Sequence, residues 1–240
     1  MENRVYLQPA YILHKQAFQN TSLLIDFFCV DYGRVRAVAR GGRRAKSKYR
    51  PLLQVFHPLL VSLTGKGEVK TVAAVESSVC AIELVGERLF SGLYLNELIT
   101  RLLMSNIEHS MLYKNYQNAL LELQGTEDIN TVLRRFELSF LTELGYGINL
   151  EQDCVSTEAV KADNIYLFVP DHGFEQVVAV QESGPSATNI FLGKHIMELR
   201  QLKFTDKESR DAAKRILRLA LQAHLGGKPL HSRSLFAHRA

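Results

Sequence analysis

Hydrophobic and polar residues alternate along much of the first 76 positions, and this period of two is typical of strands with one buried face. Turn signals stand at Asp31-Tyr32-Gly33 and Gly65-Lys66-Gly67, where glycine is free to take a positive φ. We expect residues 53–63, broken by Pro58, and residues 69–76 to be strands as well. Five short strands with glycine turns predict a small barrel of the OB type. The alternation is clearest where small apolar residues would face one side and arginines the other: Val35, Ala37 and Ala39 against Arg34, Arg36 and Arg40.

The hydrophobic period changes near residue 79 to that of a helix, which predicts a helical domain. Gly145 stands where a glycine cap ends the third helix. Thr205 and Glu208 have the spacing of a capping box that begins the last long helix, and Gly226-Gly227 would end it. Apolar residues at helical spacing place the first three helices at about residues 89–103, 111–123 and 129–144.

Residues 151–189, between the third helix and the later helices, are acidic and have many carboxylates against a single lysine, Lys161. Residues 165–169 and 176–180 have the pattern of two short strands around the turn Asp171-His172-Gly173, which predicts a small hairpin insertion. The chain is therefore expected to be an α+β protein. Its predicted parts are an OB-fold at residues 1–79, a helical domain at 80–150 and 190–240, and the insertion at 151–189.

The amino-acid composition indicates a folded protein and narrows the compartment in which it is expected. Of 240 residues, 46% are hydrophobic, so most of the chain should be folded. A formal net charge of +4 is only mildly basic, so the distribution of charge must indicate any polyanionic partner. Cys29, Cys80 and Cys154 are too few and too far apart for a disulfide framework, which favours a reducing cytosol. Without a signal core or an apolar run of membrane length, we expect a soluble intracellular protein that does not enter a membrane.

The strongest local feature is a run of cations with no acidic residue between Asp31 and Glu68. Phosphates bind such point charges, and arginine adds a planar fork. Tyr32 and Tyr49 bracket the run and are placed to stack on an exposed base. The alternative is a solvated basic loop beside an edge strand, where charge prevents aggregation. The predicted DNA-binding residues of the run are Arg34, Arg36, Arg40, Arg43, Arg44, Lys46, Lys48 and Arg50.

A second basic patch is predicted on the last long helix. Arg210, Lys214 and Arg218 are spaced four residues apart and share a face, so we expect them to bind DNA as well. Arg215 has the spacing to pair with Asp211. The alternative is a solvated helix face that complements the helix dipole.

Two adjacent arginines, Arg134 and Arg135, interrupt the apolar pattern of the third helix. An arginine flanked by apolar residues can bind a carboxylate beside a hydrophobic groove. The alternative is an exposed pair in which Arg134 bonds to a neighbouring glutamate.

Patterns that would indicate catalysis are weak. Gly65-Lys66-Gly67 lacks the spacing and the Ser or Thr of a P-loop. Cys154 has no partner at CxxC spacing, so a zinc site lacks its ligands, while Cys29 and Cys80 are expected in the core. We therefore expect a DNA-binding protein without catalytic residues, cofactor or metal, and an RNA-binding OB module is an alternative. A second alternative is a nuclease or nucleotidyl transferase, which would need several carboxylates gathered around Mg²⁺. The spacing in the sequence gives no reason to group Glu68, Glu76, Glu97 and Glu137.

Several short segments stand in an order and spacing that is quite specific: Thr21-Ser22-Leu23, Gly33-Arg34-Val35-Arg36, Ala39-Arg40-Gly41, Gly65-Lys66-Gly67, Gly92-Leu93-Tyr94-Leu95-Asn96-Glu97, Leu133-Arg134-Arg135-Phe136-Glu137, Leu144-Gly145-Tyr146-Gly147 and Leu225-Gly226-Gly227-Lys228. Through these segments the chain resembles, over nearly its whole length, the RecO family of bacterial recombination mediators.

The resemblance implies an N-terminal OB-fold, a helical domain and a small insertion that in some relatives holds zinc through four cysteines. Because this chain has only Cys154 near that place, we expect a degenerate, metal-free insertion. The resemblance also implies binding to single- and double-stranded DNA, annealing of complementary strands and partnership with RecR. It further implies help in loading RecA within the RecF pathway, in the cytoplasm at the nucleoid. The C-terminal tail of single-strand-binding protein (SSB) is a further implied partner. Such a tail ends in an aromatic residue and a carboxylate, which points to Arg134 and Arg135 as its binding residues.

Overall fold

The computed structural model describes residues 4–77, 79–177 and 189–237. Contacts divide the chain into two compact units, one formed by Met1–Thr126 with Leu230–Ala240 and the other by Glu127–Pro229. The region predicted as one helical stretch at residues 80–150 is therefore divided between the two units.

A closed five-stranded barrel forms the centre of the first unit, and the OB-type barrel predicted from the sequence is confirmed. The strands are hydrogen-bonded in the order β1-β2-β3-β5-β4, with β3 and β5 parallel and the other pairs antiparallel. The expected strand at residues 53–63 is wrong in its first half, because residues 53–58 belong to a loop. The strands are β1 Arg4–Phe18, β2 Ser22–Cys29, β3 Gly33–Ala39, β4 Leu59–Thr64 and β5 Val69–Glu76.

Strand β1 closes the barrel because it is long enough to pair with two neighbours. Its first part pairs with β4 and its second part with β2, and the pairing with β2 shifts register between Ile12 and His14. Helix α1 (Gly86–Leu102) supports this irregular position. There the buried Asn96 donates from Nδ2 to the carbonyl oxygens of Ile12 at 3.4 Å and Leu13 at 3.0 Å. Carbonyl groups that the register shift frees from regular pairing are thus satisfied by a side chain.

The predicted alternation in β3 is confirmed. Val35, Ala37 and Ala39 are fully buried in the barrel core, while Arg36 and Arg40 are exposed and Arg34 is partly exposed. The preceding turn needs glycine for two reasons. Gly33 has φ +59°, and a Cβ atom at this position would lie 1.8 Å from the carbonyl oxygen of Ile107. The loop before α2 (Ser110–Gln124) therefore packs directly on the turn.

A short helix near the C-terminus, α6 (Ser232–Ala237), completes the first unit and was not predicted. The Glu97 carboxylate on α1 accepts hydrogen bonds from the backbone N–H groups of His231 and Ser232, both at 2.8 Å. It also accepts one from the Ser232 hydroxyl at 2.6 Å. Burial would raise the pKa of Glu97, but the bonds from Ser232 and His231 outweigh it and lower the pKa. A charged carboxylate thus holds the start of α6.

The second unit combines helices with a three-stranded sheet of order β7-β6-β8. The hairpin predicted around Asp171 is confirmed, although its second strand begins at Gly173, earlier than expected; the predicted residues 178–180 lie outside the described part. The elements are α3 Ile129–Glu143, β6 Ile165–Val169, β7 Gly173–Val177, β8 Ile190–Leu192, α4 Gly193–Gln201 and α5 Lys207–His224.

The capping box of α5 lies one residue beyond its predicted position. Asp206 accepts from the backbone N–H of Ser209 at 2.7 Å, and the Asp206 N–H donates to the Ser209 hydroxyl. The expected pair of Thr205 and Glu208 is wrong, because the Thr205 hydroxyl donates to Glu198 at 2.8 Å instead. Gly226 and Gly227 follow the helix, both with positive φ, as expected for its end.

Replacing Gly33 by alanine should destabilise the first unit by about 2–4 kcal/mol, because the new Cβ meets a backbone oxygen and the φ is unfavourable for alanine. Urea unfolding measures the loss. Gly67→Ala is the control, since nothing lies within 4 Å of its added Cβ, and it should change stability by less than about 1 kcal/mol. Equal stability of the two variants would contradict the close packing of the loop on the turn.

Candidate nucleic-acid interface

The basic run forms an ordered loop between β3 and β4. We call residues 40–50 the basic loop. Successive backbone hydrogen bonds build its turns, including Arg44 N–H to Gly41 O at 3.0 Å and Arg50 N–H to Ser47 O at 3.2 Å. The Arg43 N–H donates to Thr21 O at 2.8 Å, which attaches the loop to the turn between β1 and β2. Its side chains therefore start from a fixed backbone.

Six cations of the basic loop are exposed. Within the part of the chain that the structure describes, none of the six forms an ion pair with a carboxylate. Their positive charge is therefore uncompensated, and a polyanion that binds here displaces no carboxylate. The six residues are Arg40, Arg43, Arg44, Lys46, Lys48 and Arg50.

Two of the predicted DNA-binding arginines have a different environment. The buried Asp26 binds Arg36 through two hydrogen bonds of 2.8 and 3.2 Å, and it lies 3.6 Å from the Arg34 guanidinium. Arg34 also donates from Nε to Leu103 O at 3.1 Å. Burial lowers the pKa of Arg34, whereas the hydrogen bond to Asp26 raises that of Arg36. The two arginines share the single negative charge of Asp26, so they are partly compensated within the first unit and differ from the six cations that have no carboxylate partner in the described structure.

The two tyrosines that bracket the run are half-buried against the barrel core. The Tyr49 hydroxyl donates to Ala73 O at 3.0 Å, and Lys48 Nζ lies 5.1 Å from the centre of its ring. Tyr32 packs on the same core. Both rings therefore contribute to packing, and the stacking of bases on them stays a prediction.

Helix α5 carries the second predicted patch. Arg210, Lys214 and Arg218 are exposed, and the described residues hold no ion pair for any of the three. The opposite face of the helix is buried in the second unit. The expected pair of Arg215 with Asp211 is wrong, because Arg215 donates to Ile190 O at 2.9 Å and lies over the Phe191 ring at 4.4 Å.

The two arginines of α3 differ sharply in exposure. Arg134 is 6% exposed, and its Nη2 donates to Glu137 at 2.9 Å, one turn away on the same helix. Arg134 therefore bonds to a neighbouring glutamate, as the alternative interpretation expected. The pair is buried, however, whereas that interpretation expected it to be exposed. The guanidinium of Arg134 is thus engaged within the helix, and its role in binding the tail stays a prediction. Arg135 is exposed.

Of the four carboxylates considered for metal chemistry, Glu68 and Glu76 are exposed, while the other two bind structural partners. Glu97 binds the start of α6, and Glu137 binds Arg134. No group of three His, Cys, Asp or Glu side chains in the described ranges is placed to hold a metal ion. Cys29 is buried as expected, but Cys80 is exposed, so its assignment to the core was wrong. Nor does any described helix have the length and apolar composition needed to cross a membrane.

The insertion is held by a carboxylate. Asp153, which is 3% exposed, accepts hydrogen bonds from the backbone N–H groups of Val155 and Ser156, both at 2.7 Å, and of Gln176 at 2.5 Å. These bonds connect the segment before the hairpin to β7. With Cys154 as the insertion's one cysteine, the residues do not fit a zinc site of four thiolates.

These contacts make the insertion sensitive to acid. Burial would raise the pKa of Asp153, but the hydrogen bonds from Ser156, Gln176 and Val155 outweigh it and lower the pKa. A carboxylate with a lowered pKa stabilises the fold above its unfolded pKa of about 3.9, and this contribution is lost as the pH falls through the lower folded value.

Asp153→Ala should therefore cost about 1–3 kcal/mol at pH 7, and its difference from the unsubstituted protein should shrink as the pH falls below about 4. Urea unfolding across this pH range measures it. Asp163→Ala, at an exposed aspartate of the same insertion, is the control and should have little effect. A melting temperature that falls on addition of a chelator would contradict the carboxylate as the connecting group.

Known proteins share both parts of this chain. Residues 1–79 match the family model described as Recombination protein O N terminal, and residues 84–234 match the one described as Recombination protein O C terminal. The chain belongs to the RecO family. The resemblance drawn from the sequence is thereby confirmed, and the boundary between the two matches falls between β5 and α1.

Individual relatives in the RecO family agree with this assignment. The DNA repair protein RecO of Salmonella enteritidis PT4 is 41% identical to this chain over 230 residues, which cover 95% of this chain and 93% of the relative. The proteins of the same name from Salmonella newport and Salmonella gallinarum are 41% and 40% identical over the same lengths. The match therefore includes the barrel, both helical regions and the insertion.

Proposed function

We propose that this protein is a recombination mediator in DNA repair that binds single- and double-stranded DNA and anneals complementary strands without making or breaking covalent bonds. The observation that carries the proposal is the basic loop, whose six exposed cations have no carboxylate partner in the described structure. Each cation placed against a phosphate releases condensed counterions, which favours binding to any sequence.

Annealing follows from the same electrostatics. Two complementary strands repel one another through their phosphates, and a cationic surface reduces that repulsion while the bases find their partners. The protein offers one such surface on each compact unit: the basic loop in the first unit, and Arg210, Lys214 and Arg218 of α5 in the second. We assign one strand, or one duplex, to each surface.

Membership of the RecO family supports the remaining parts of the proposal. The protein acts with RecR, binds the C-terminal tail of SSB and helps RecA to load on SSB-coated DNA within the RecF pathway. For the tail we propose Arg135 as the cation that meets its carboxylate, since Arg135 is exposed on α3. The buried ion pair of Arg134 with Glu137 has the different role of fixing the helix that carries it.

Reversing the charge of Arg43 and Arg44 to glutamate should weaken binding to single-stranded and duplex oligonucleotides by at least about tenfold at low salt. The plot of log affinity against log salt should also become shallower, by roughly 0.7–0.9 for each phosphate that the variant no longer neutralises. Fluorescence anisotropy over a salt series measures both quantities.

The matched control is Lys114→Glu with Lys203→Glu, which changes net charge equally at two exposed lysines outside the basic loop. This variant should bind both DNA forms within about threefold of the unsubstituted protein. The proposal fails if the loop variant and the control have the same affinity, or if DNA cleavage that requires a divalent ion accompanies binding by the clean protein.

Reversing Arg210 and Lys214 to glutamate should slow annealing of complementary oligonucleotides about tenfold, with single-strand affinity within about threefold, because the basic loop still holds one strand. A fluorescence-quenching assay with strands labelled in pairs measures annealing. The loop variant should instead lose both single-strand affinity and annealing. Unchanged annealing by the α5 variant would contradict a role for the second surface.

A further inference from the structure

A depression of about 440 Å³ lies beside the basic loop, between it and the end of β1. Its volume falls within the usual range for sites that hold a small molecule. The lining combines two kinds of chemistry, since cations surround aliphatic side chains. The residues on which the inference rests are Lys15, Arg43 and Arg50 among the cations, and Ala17 and Leu23 among the aliphatic groups.

Lys15 provides a partly buried cation on the wall of the depression. Its Nζ donates to Leu53 O at 2.6 Å and to the Gln54 side-chain oxygen at 2.9 Å. An ammonium group has three N–H donors, so one remains for a ligand. No carboxylate pairs with Lys15 in the described part of the chain. An anion in the depression would therefore meet an uncompensated charge.

Two arginines of the basic loop add to this positive wall. Arg43 and Arg50 are exposed, and their backbones are fixed by the hydrogen bonds of Arg43 N–H to Thr21 O and of Arg50 N–H to Ser47 O. A fixed backbone reduces the conformational entropy that is lost when a side chain binds a ligand. Arginine also presents a planar fork that suits phosphate oxygens.

The aliphatic groups suit a different part of the ligand. Leu53 is 1% exposed and offers a ligand almost no surface. Ala17 is exposed, Leu23 is partly buried against the barrel core, and the two residues pair across β1 and β2. A flat, weakly polar ring can rest on such groups while a phosphate attached to it meets the cations. A nucleotide has both parts, with a phosphate and a base on the same sugar, whereas an acidic peptide without apolar side chains would use the cations and leave the aliphatic groups uncovered.

We propose that this depression holds one unpaired nucleotide of single-stranded DNA, with its phosphate on Arg43, Arg50 and Lys15 and its base against Ala17 and Leu23. In a duplex the bases are stacked and paired, so duplex DNA binds the exposed cations only. The inference rests on the proposed function, because it requires the basic loop to bind DNA. It adds a site that distinguishes an unpaired strand from a duplex.

Filling the depression without changing charge tests the inference. Ala17 is exposed on β1, and Ala17→Leu places additional carbon atoms in the depression while every cation stays in place. Affinity for a single-stranded oligonucleotide should fall about tenfold, with an unchanged salt dependence, since every cation still reaches its phosphate. Affinity for a duplex of the same length should stay within about twofold.

The control is Ala81→Leu, the same substitution at an exposed alanine of the first unit outside the depression, which should leave both affinities unchanged. Arg43→Gln with Arg50→Gln should weaken both DNA forms and reduce the salt dependence. Circular dichroism and urea unfolding show that each variant is folded.

The outcomes separate this inference from the proposed function. If Ala17→Leu weakens single-stranded and duplex DNA equally, or neither, the nucleotide site is wrong although the protein binds DNA. Competition for the site by an acidic peptide, but not by a short thymidine oligonucleotide, would also overturn it. If the unsubstituted protein binds neither DNA form, the proposed function itself fails.

Discussion

Closure of the barrel depends on β1, the strand that pairs with β4 at one end and with β2 at the other. To serve both neighbours it shifts register near Leu13, and the carbonyl groups freed there accept hydrogen bonds from the buried Asn96 of α1. The Tyr116 hydroxyl of α2 donates to the Asn96 side-chain oxygen, so both helices depend on the same amide. Since an unsatisfied buried polar group is costly, this one position couples the strand pairing to the helices.

The fold also separates two uses of arginine within a short stretch of chain. Arg34 and Arg36 lie on β3, where they share the buried carboxylate of Asp26 and so connect β3 to β2. Beyond Ala39 the chain leaves the barrel, and the cations that follow have no such carboxylate in the described structure. The arginines before the end of β3 therefore stabilise the barrel, whereas the cations after it form a surface on which a polyanion can bind.

Local pattern was enough to predict much of this architecture. The alternation in β3, the strand at residues 165–169 and the start of α3 at Ile129 all depend on neighbouring residues, and the structure agrees with each. What could not be predicted depends on residues distant in sequence or on the depth of packing. Asp26 compensates Arg36 only because β2 and β3 pair in register, and nothing in the sequence around Arg134 shows how deeply its ion pair with Glu137 is buried.

The depression beside the basic loop shows the same limit. Lys15 on β1 and Leu53 before β4 are 38 positions apart, and only the closed barrel and the turns of the loop bring them together. A run of cations can be seen in the sequence, but a mixed cationic and aliphatic wall cannot, because its members come from three separate segments.

The carboxylate of Asp153 connects two segments of the insertion, because it accepts hydrogen bonds from backbone N–H groups of both. Because the oxygen atoms that accept these hydrogen bonds are part of the polypeptide, the described segments of the insertion are joined by groups that the chain itself supplies. Oxidants can release zinc from a cluster of thiolates, but the insertion has a single thiol, that of Cys154. The sulfur of Cys154 takes no part in the hydrogen bonds of Asp153, so its oxidation would not remove any of them directly.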